Sequence, residues 1–110
     1  MIRDLLKQFL EVDGHVVSTA KDGADGLAIA KALRMDLIVL DGDLPNSVAI
    51  RTQFKSEAST SHLAVLCVGT RSSRDRFEQM AKTDSDSYLA MPFTFVQIRQ
   101  SVVRLLRLSA

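Results

Sequence analysis

The sequence predicts a parallel α/β sheet with helices on both faces. Three observations predict it. Helical and strand patterns alternate along the chain, as they do where crossover helices join parallel strands. Two segments, DLIVLD (36–41) and LAVLCV (63–68), are apolar runs without polar alternation, the mark of strands covered above and below. The last helix carries a complete start signal.

The elements follow in order. MIRDLLKQFLEVDG (1–14) places Ile2, Leu5, Leu6, Phe9 and Leu10 on one face of an amphipathic helix that Gly14 ends. HVVSTA (15–20) reads as a short β-branched strand. KDGADGLAIAKALR (21–34) predicts a second helix with Leu27, Ala30 and Leu33 turned inward. DLIVLD is the next strand, and after the Pro45-Asn46 turn SVAIRTQFKSEA (47–58) predicts a third helix through Ile50 and Phe54. LAVLCV is followed by RSSRDRFEQMAK (71–82), a mostly polar helix with only Phe77, Met80 and Ala81 to bury. SYLAM (87–91) is a short strand ending at Pro92. Thr94 and Gln97 then form a capping box, in which each side chain satisfies an orphan backbone N–H. Phe95, Ile98, Val102, Leu105 and Leu106 supply the buried face of the fifth helix. The expectation is four strands and five helices.

Composition narrows the function classes. The 110 residues suit one compact domain over 1–110, with no stretch left for an effector domain. A net charge of +1 gives no bias toward nucleic acid or membrane, so neither is an expected direct partner. Cys67 is the single cysteine and forms no internal disulfide, which places the chain in a reducing cytoplasm. There is no membrane-length apolar run and no signal-peptide pattern. His15 and His62 lack partners at metal-ligand spacing, and Cys67 reads as a small core residue.

Ligands in open α/β sheets bind outside the carboxyl ends of the strands. Asp41 and Asp43 stand at such an end in DLIVLDGDLPN, although an aspartate there also serves simply to start a turn. The element order, with Asp41, Leu44 and Pro45 in LDGDLP and Tyr88, Pro92 and Phe93 in YLAMPF, resembles the receiver domain of two-component response regulators. GHVVSTAKDGADGLAIA is similar to that family's second strand and second helix, so the resemblance runs over the whole chain. It implies the flavodoxin-like, CheY-like fold, here lacking the usual first, central strand because Met1 already lies in the first helix. Receivers often carry a methionine in the loop before that helix, so an upstream start that encodes the strand stays open.

The resemblance also assigns roles. Asp41 corresponds to the phosphoacceptor and Asp43 to the position whose backbone carbonyl ligates Mg²⁺. Asp41 and Asp43 are thus the weak metal candidates, and Mg²⁺ is expected only if phosphorylation persists. The acidic pair at the end of the first strand has no counterpart, and Asp4 is a helix-start charge. Gly69 falls where the family has a phosphoryl-binding Thr or Ser, with Thr70 one residue late, and Met91 replaces the family's lysine. Loss of the hydroxyl or of the lysine each costs on the order of 2–4 kcal/mol of transition-state stabilisation. Tyr88 corresponds to the switch aromatic, and Met91-Pro92 to a family cis peptide.

The expected function is therefore that of a truncated, degenerate receiver module, not an enzyme, which works by protein contact and is not efficiently phosphorylated. A receiver still phosphorylated on Asp41, with a histidine kinase as partner, is the first alternative. A haloacid-dehalogenase-like phosphatase using Asp41 and Asp43 is the second, although that family carries its motif on the first strand of a longer chain. Without the central strand DLIVL presents a bare edge, so a homodimer or a strand-completing partner is expected. Val96, Arg99, Val103 and Arg107 on the last helix are interface candidates, against a solvated basic face that would include Arg71, Arg74 and Arg76.

Overall fold

The computed structural model describes residues 2–80 and 86–109. The chain divides into two compact units, Met1–Leu33 and Arg34–Ala110. In the first, α1 (Ile2–Val12) carries Asp4 in its first turn and buries Leu6 and Leu10, one helical turn apart. Phe9 is half-buried, while Leu5, expected on the same face, is exposed. Arg3 Nη1 donates to Ala20 O at 3.2 Å, tying the helix to the end of the segment that follows. α2 (Gly23–Ala32) begins at Asp22, whose carboxylate accepts from Asp25 N at 2.8 Å while the Asp25 carboxylate accepts from Lys21 N at 3.3 Å. This acidic capping pair supplies the start that the glycines obscured. Leu27 is buried and Ala30 half-buried, but Leu33 caps the C-terminus in an extended conformation and is 50% exposed, against expectation.

HVVSTA is not a strand. Residues 15–20 are irregular and Val16 is 98% exposed, so the expected four strands become three among the described residues. β-branched residues favour a strand only where a neighbouring strand offers backbone partners and a packed face, and here no ladder reaches the segment.

The second unit is built on β1 (Leu37–Asp41), β2 (Ala64–Gly69) and β3 (Asp86–Ala90), all parallel, in the order β1-β2-β3. Leu37 pairs with Ala64 and Asp41 with Val68; Cys67 pairs with Tyr88 and Gly69 with Ala90. Every residue of β2 is buried, as a central strand requires. In β1 only Leu40 is buried, because its outer edge has no strand beside it among the described residues. The equal apolarity of the two runs does not show this difference; the bare edge at DLIVL was expected from the first strand that the receiver resemblance lacks.

α3 (Ser47–Ser56) buries Ser47, Ile50, Arg51 and Phe54. α4 (Arg71–Met80) buries Phe77; Ala81 and the side chain of Met80 lie outside what is described. α5 (Phe95–Ser109) buries Ile98, Val102 and Leu105, half-buries Leu106 and leaves Phe95 exposed in its first turn. Its capping box forms as expected, with Thr94 N donating to Gln97 Oε1 at 2.8 Å and Gln97 N to Thr94 Oγ1 at 3.2 Å.

Side chains alternate across a strand, and β3 uses both faces. Asp86 and Tyr88 point toward α3 and α4, while Ser87 points to α5, where Arg104 Nη2 donates to its Oγ at 2.8 Å. The Asp86 carboxylate has no solvent exposure; it receives Arg51 Nη2 and lies 3.2 Å from Lys55 Nζ, which also donates to Leu63 O at 2.7 Å. Arg51 and Lys55 lie one turn apart on α3, so one helix face delivers both cations to the amino end of the sheet.

Candidate functional site at the carboxyl end of the sheet

The parallel strands end together at Asp41, Gly69 and Ala90, and the loops that follow bring Asp41, Asp43, Thr70, Ser73, Arg76 and Tyr88 into one cluster. Asp41 Oδ1 accepts from Asp43 N at 2.9 Å, so the residue does start the turn, and the turn closes with Ser47 N on Leu44 O at 3.1 Å. The turn reading and the strand-end reading of Asp41 therefore both describe its geometry.

Asp43 is exposed, yet both oxygens of its carboxylate accept hydrogen bonds, Oδ1 most of them. Thr70 N donates to Oδ1 at 3.0 Å and to Oδ2 at 3.2 Å, Thr70 Oγ1 donates to Oδ1 at 2.9 Å, and Ser73 Oγ donates to Oδ1 at 2.7 Å. These donors form the start of α4, where unsatisfied N–H groups favour a negative charge. The Ser73 hydrogen bond, then the Thr70 backbone N–H, hold the Asp43 carboxyl below the usual carboxylate range, with the nearby Arg76 adding to the effect. Arg76 is not part of a free basic face: its Nη2 donates to Gly42 O at 2.9 Å and lies 3.5 Å from Ser47 Oγ, which itself donates to Gly42 O at 3.1 Å. Arg74 is paired within its helix to Glu78 at 3.0 Å.

Tyr88 closes the cluster. Its Oη donates to Thr70 O at 2.5 Å, and its ring meets Phe77 with centroids 5.4 Å apart and planes at 46°. Two glycines make room for it. A Cβ on Gly69 would lie 2.6 Å from Tyr88 Oη and 2.9 Å from Asp43 Oδ1; one on Gly42 would lie 2.7 Å from Cys67 Sγ and 3.0 Å from the Tyr88 ring. Gly69, read from sequence as a lost hydroxyl, is thus also the residue that admits the tyrosine. Burial, then nearby Cys67 and Asp43, push the Tyr88 phenol up to about 12. Burial above all, with Asp41 and Asp43 close by, pushes the Cys67 thiol to about 12, which suits an inert core residue.

Met91 ends the cluster with no charge. Its backbone N donates to Gly69 O at 2.7 Å, and the Met91-Pro92 peptide is cis. Among the described residues no three side chains of His, Cys, Asp or Glu converge, and the Asp43 carboxylate accepts from Thr70 and Ser73. His15 and His62 join no such group. Val96 and Val103 are exposed on α5; Val103 lines a shallow open groove with Arg99, Gln100, Arg104 and Arg107, well apart in sequence from the strand ends. Among the described residues no helix is long and apolar enough to cross a membrane.

The roles of Asp43, Ser73 and Arg76 in this cluster were missed in the sequence. The only signal was a polar helix start, TRSSR, whose partner lies 27 to 30 residues earlier.

Comparison with known proteins identifies the architecture. The family model described as the response regulator receiver domain matches residues 1–103. Among curated proteins the chain is 33% identical over 102 residues to the transcriptional regulatory protein PrrA of Mycobacterium leprae, covering 93% of this chain and 44% of that protein. It is 32% identical over 108 residues to the DNA-binding dual master transcriptional regulator RpaA of Synechocystis, covering 96% and 45%. The chain thus spans less than half the length of these relatives. Among solved structures, the receiver domain of NtrX from Brucella abortus superposes with a TM-score of 0.82 at 21% identity, over 96% of this chain and 90% of that one. The receiver domain of the sensor histidine kinase PA1611 from Pseudomonas aeruginosa, which holds a magnesium ion in its active site cleft, gives 0.81 at 18%, over 96% and 88%. The chain belongs to the response regulator receiver domain family.

Proposed function

We propose that this member of the receiver family is a protein-contact module of two-component signalling in which Asp41 is not efficiently phosphorylated. The single observation that supports this reading best is the state of Asp43. Its ionised carboxylate stands two residues beyond Asp41 and is held against α4, so phosphoryl oxygens arriving at Asp41 meet a fixed negative charge. Phosphoryl transfer depends on neutralising those oxygens. The end of β3 offers Met91 in place of a cation, and the Arg76 guanidinium is engaged by Gly42 O. With Gly69 in place of the hydroxyl and Met91 in place of the lysine, on the order of 2–4 kcal/mol is missing for each absent group. Incubation with acetyl phosphate and Mg²⁺, followed by intact-mass measurement, is expected to leave the mass unchanged. A stable phosphoryl adduct on Asp41 would overturn the reading.

The second reading, phosphorylation on Asp41 by a histidine kinase, draws on the strand-end position of that carboxylate, and the same assay decides it. The phosphatase reading is disfavoured by Asp43, because a carboxyl held ionised is a poor general acid. The edge of β1, which has no strand beside it among the described residues, supports a homodimer or a strand-completing protein partner, and the exposed Val96 and Val103 beside Arg99 and Arg107 support α5 as a docking face. Sedimentation as a folded monomer at micromolar concentration would count against self-association.

A further inference from the structure

We propose that the Asp43 carboxylate is a built-in anion that locks the start of α4 and Tyr88 in one arrangement, with or without a phosphodonor. The inference rests on the contact-module reading above and says how its surface is held. A carboxylate of the chain itself receives the Thr70 N–H, the Thr70 hydroxyl and the Ser73 hydroxyl.

The connection continues through covalent and hydrogen bonds. Thr70, gripped by Asp43 at its amide, accepts the Tyr88 hydroxyl at its carbonyl. Tyr88 packs on Phe77 of α4, and Gly42 and Gly69 leave the space its inward position needs. Four residues from three segments, Asp43, Thr70, Tyr88 and Phe77, therefore share one arrangement whose only charged member is Asp43. A carboxylate at a helix N-terminus satisfies otherwise orphan donors there, and its removal frees both α4 and the residue that holds Tyr88. The face formed by α4 and β3 is then presented to a partner in one state that does not wait for phosphorylation.

The chain has one tyrosine and no tryptophan, so tyrosine fluorescence reports this position alone. Acrylamide quenching is measured for the wild type and for Asp43→Ala and Asp43→Asn, each with and without acetyl phosphate and Mg²⁺, with circular dichroism to verify folding. The wild type is expected to be shielded and unaffected by the phosphodonor. Asp43→Ala is expected to raise quenching by about twofold through local opening, and Asp43→Asn, which keeps an acceptor oxygen, to fall between the two. A folded Asp43→Ala protein with wild-type quenching overturns the proposal, as does a wild-type Tyr88 signal that moves with the phosphodonor. A phosphorylated wild type with an unmoved Tyr88 sinks only the contact-module reading and leaves the lock standing. If Asp43→Ala does not fold, the double variant Thr70→Ala, Ser73→Ala removes the hydroxyl donors instead; quenching equal to wild type in that folded protein also overturns the lock.

Discussion

The two ends of the sheet each hold an aspartate against donors from a helix, and they do so to opposite effect. At the amino end the Asp86 side chain has no solvent exposure and lies between Arg51 and Lys55 of α3. At the carboxyl end Asp43 is exposed and meets the amide and hydroxyls that begin α4. A buried carboxylate that loses its partners, or leaves them behind, carries the full desolvation cost of an uncompensated charge. An exposed one can be replaced by water, so its removal releases a conformation more than it unfolds a domain. The amino end therefore holds the fold together, and the carboxyl end sets the shape of the surface next to Asp41.

The largest expected effect tests the first half of that contrast. Asp86→Ala leaves Arg51 and Lys55 facing each other in a nearly dry pocket, and urea denaturation should show a loss of roughly 3–5 kcal/mol. A loss under about 1 kcal/mol would remove the distinction between the two ends. Gly69→Ala comes next. Its Cβ falls against the far ends of Tyr88 and Asp43, which can swing aside, so a loss of about 1–3 kcal/mol is expected together with greater Tyr88 quenching. Thr94→Ala, which breaks the capping box of α5 beyond β3, should cost about 1 kcal/mol and leave Tyr88 shielded. It separates a general weakening near this end of the sheet from a specific release of the tyrosine.

The smallest effect is one of pH. The Asp43 carboxyl is lowered in the folded chain from an ordinary value of 3.8. Its contribution to stability is then complete above that value and is lost as pH falls through the lower folded one. The urea midpoints of the wild type and Asp43→Asn should differ between pH 5 and 7 and converge as the pH is taken below about 4. Midpoints that differ by a constant amount down to the acid transition would mean that the charge of Asp43 contributes nothing.

Most of the fold was legible from residue patterns. Apolar spacing located the helices, two continuous apolar runs located β1 and β2, and Thr94 with Gln97 marked the start of α5. These signals are local: each depends on residues within a few positions of one another. The motifs around Asp41 and Tyr88 likewise pointed to the carboxyl ends of the strands and to the receiver family. HVVSTA shows the limit of that reasoning, since its composition favours a strand but a strand exists only with a neighbour.

What only the tertiary structure decided is which distant residues meet. DLIVL and AVLCV are equally apolar, so periodicity did not separate them; the missing first strand of the resemblance made DLIVL the expected edge, and among the described residues it is one. Asp86 finds Arg51 across 35 residues, and Asp43 finds Thr70 across 27. By sequence alone Asp43 was a weak metal candidate at the position whose carbonyl ligates Mg²⁺ in the family, and Gly69 a lost hydroxyl. In the folded chain the acid is bonded to the start of α4, and the glycine leaves space for the tyrosine bonded to the same residue. Periodicity along a chain reports which face of an element is apolar; it carries no information about which polar groups the crossovers bring within hydrogen-bonding reach.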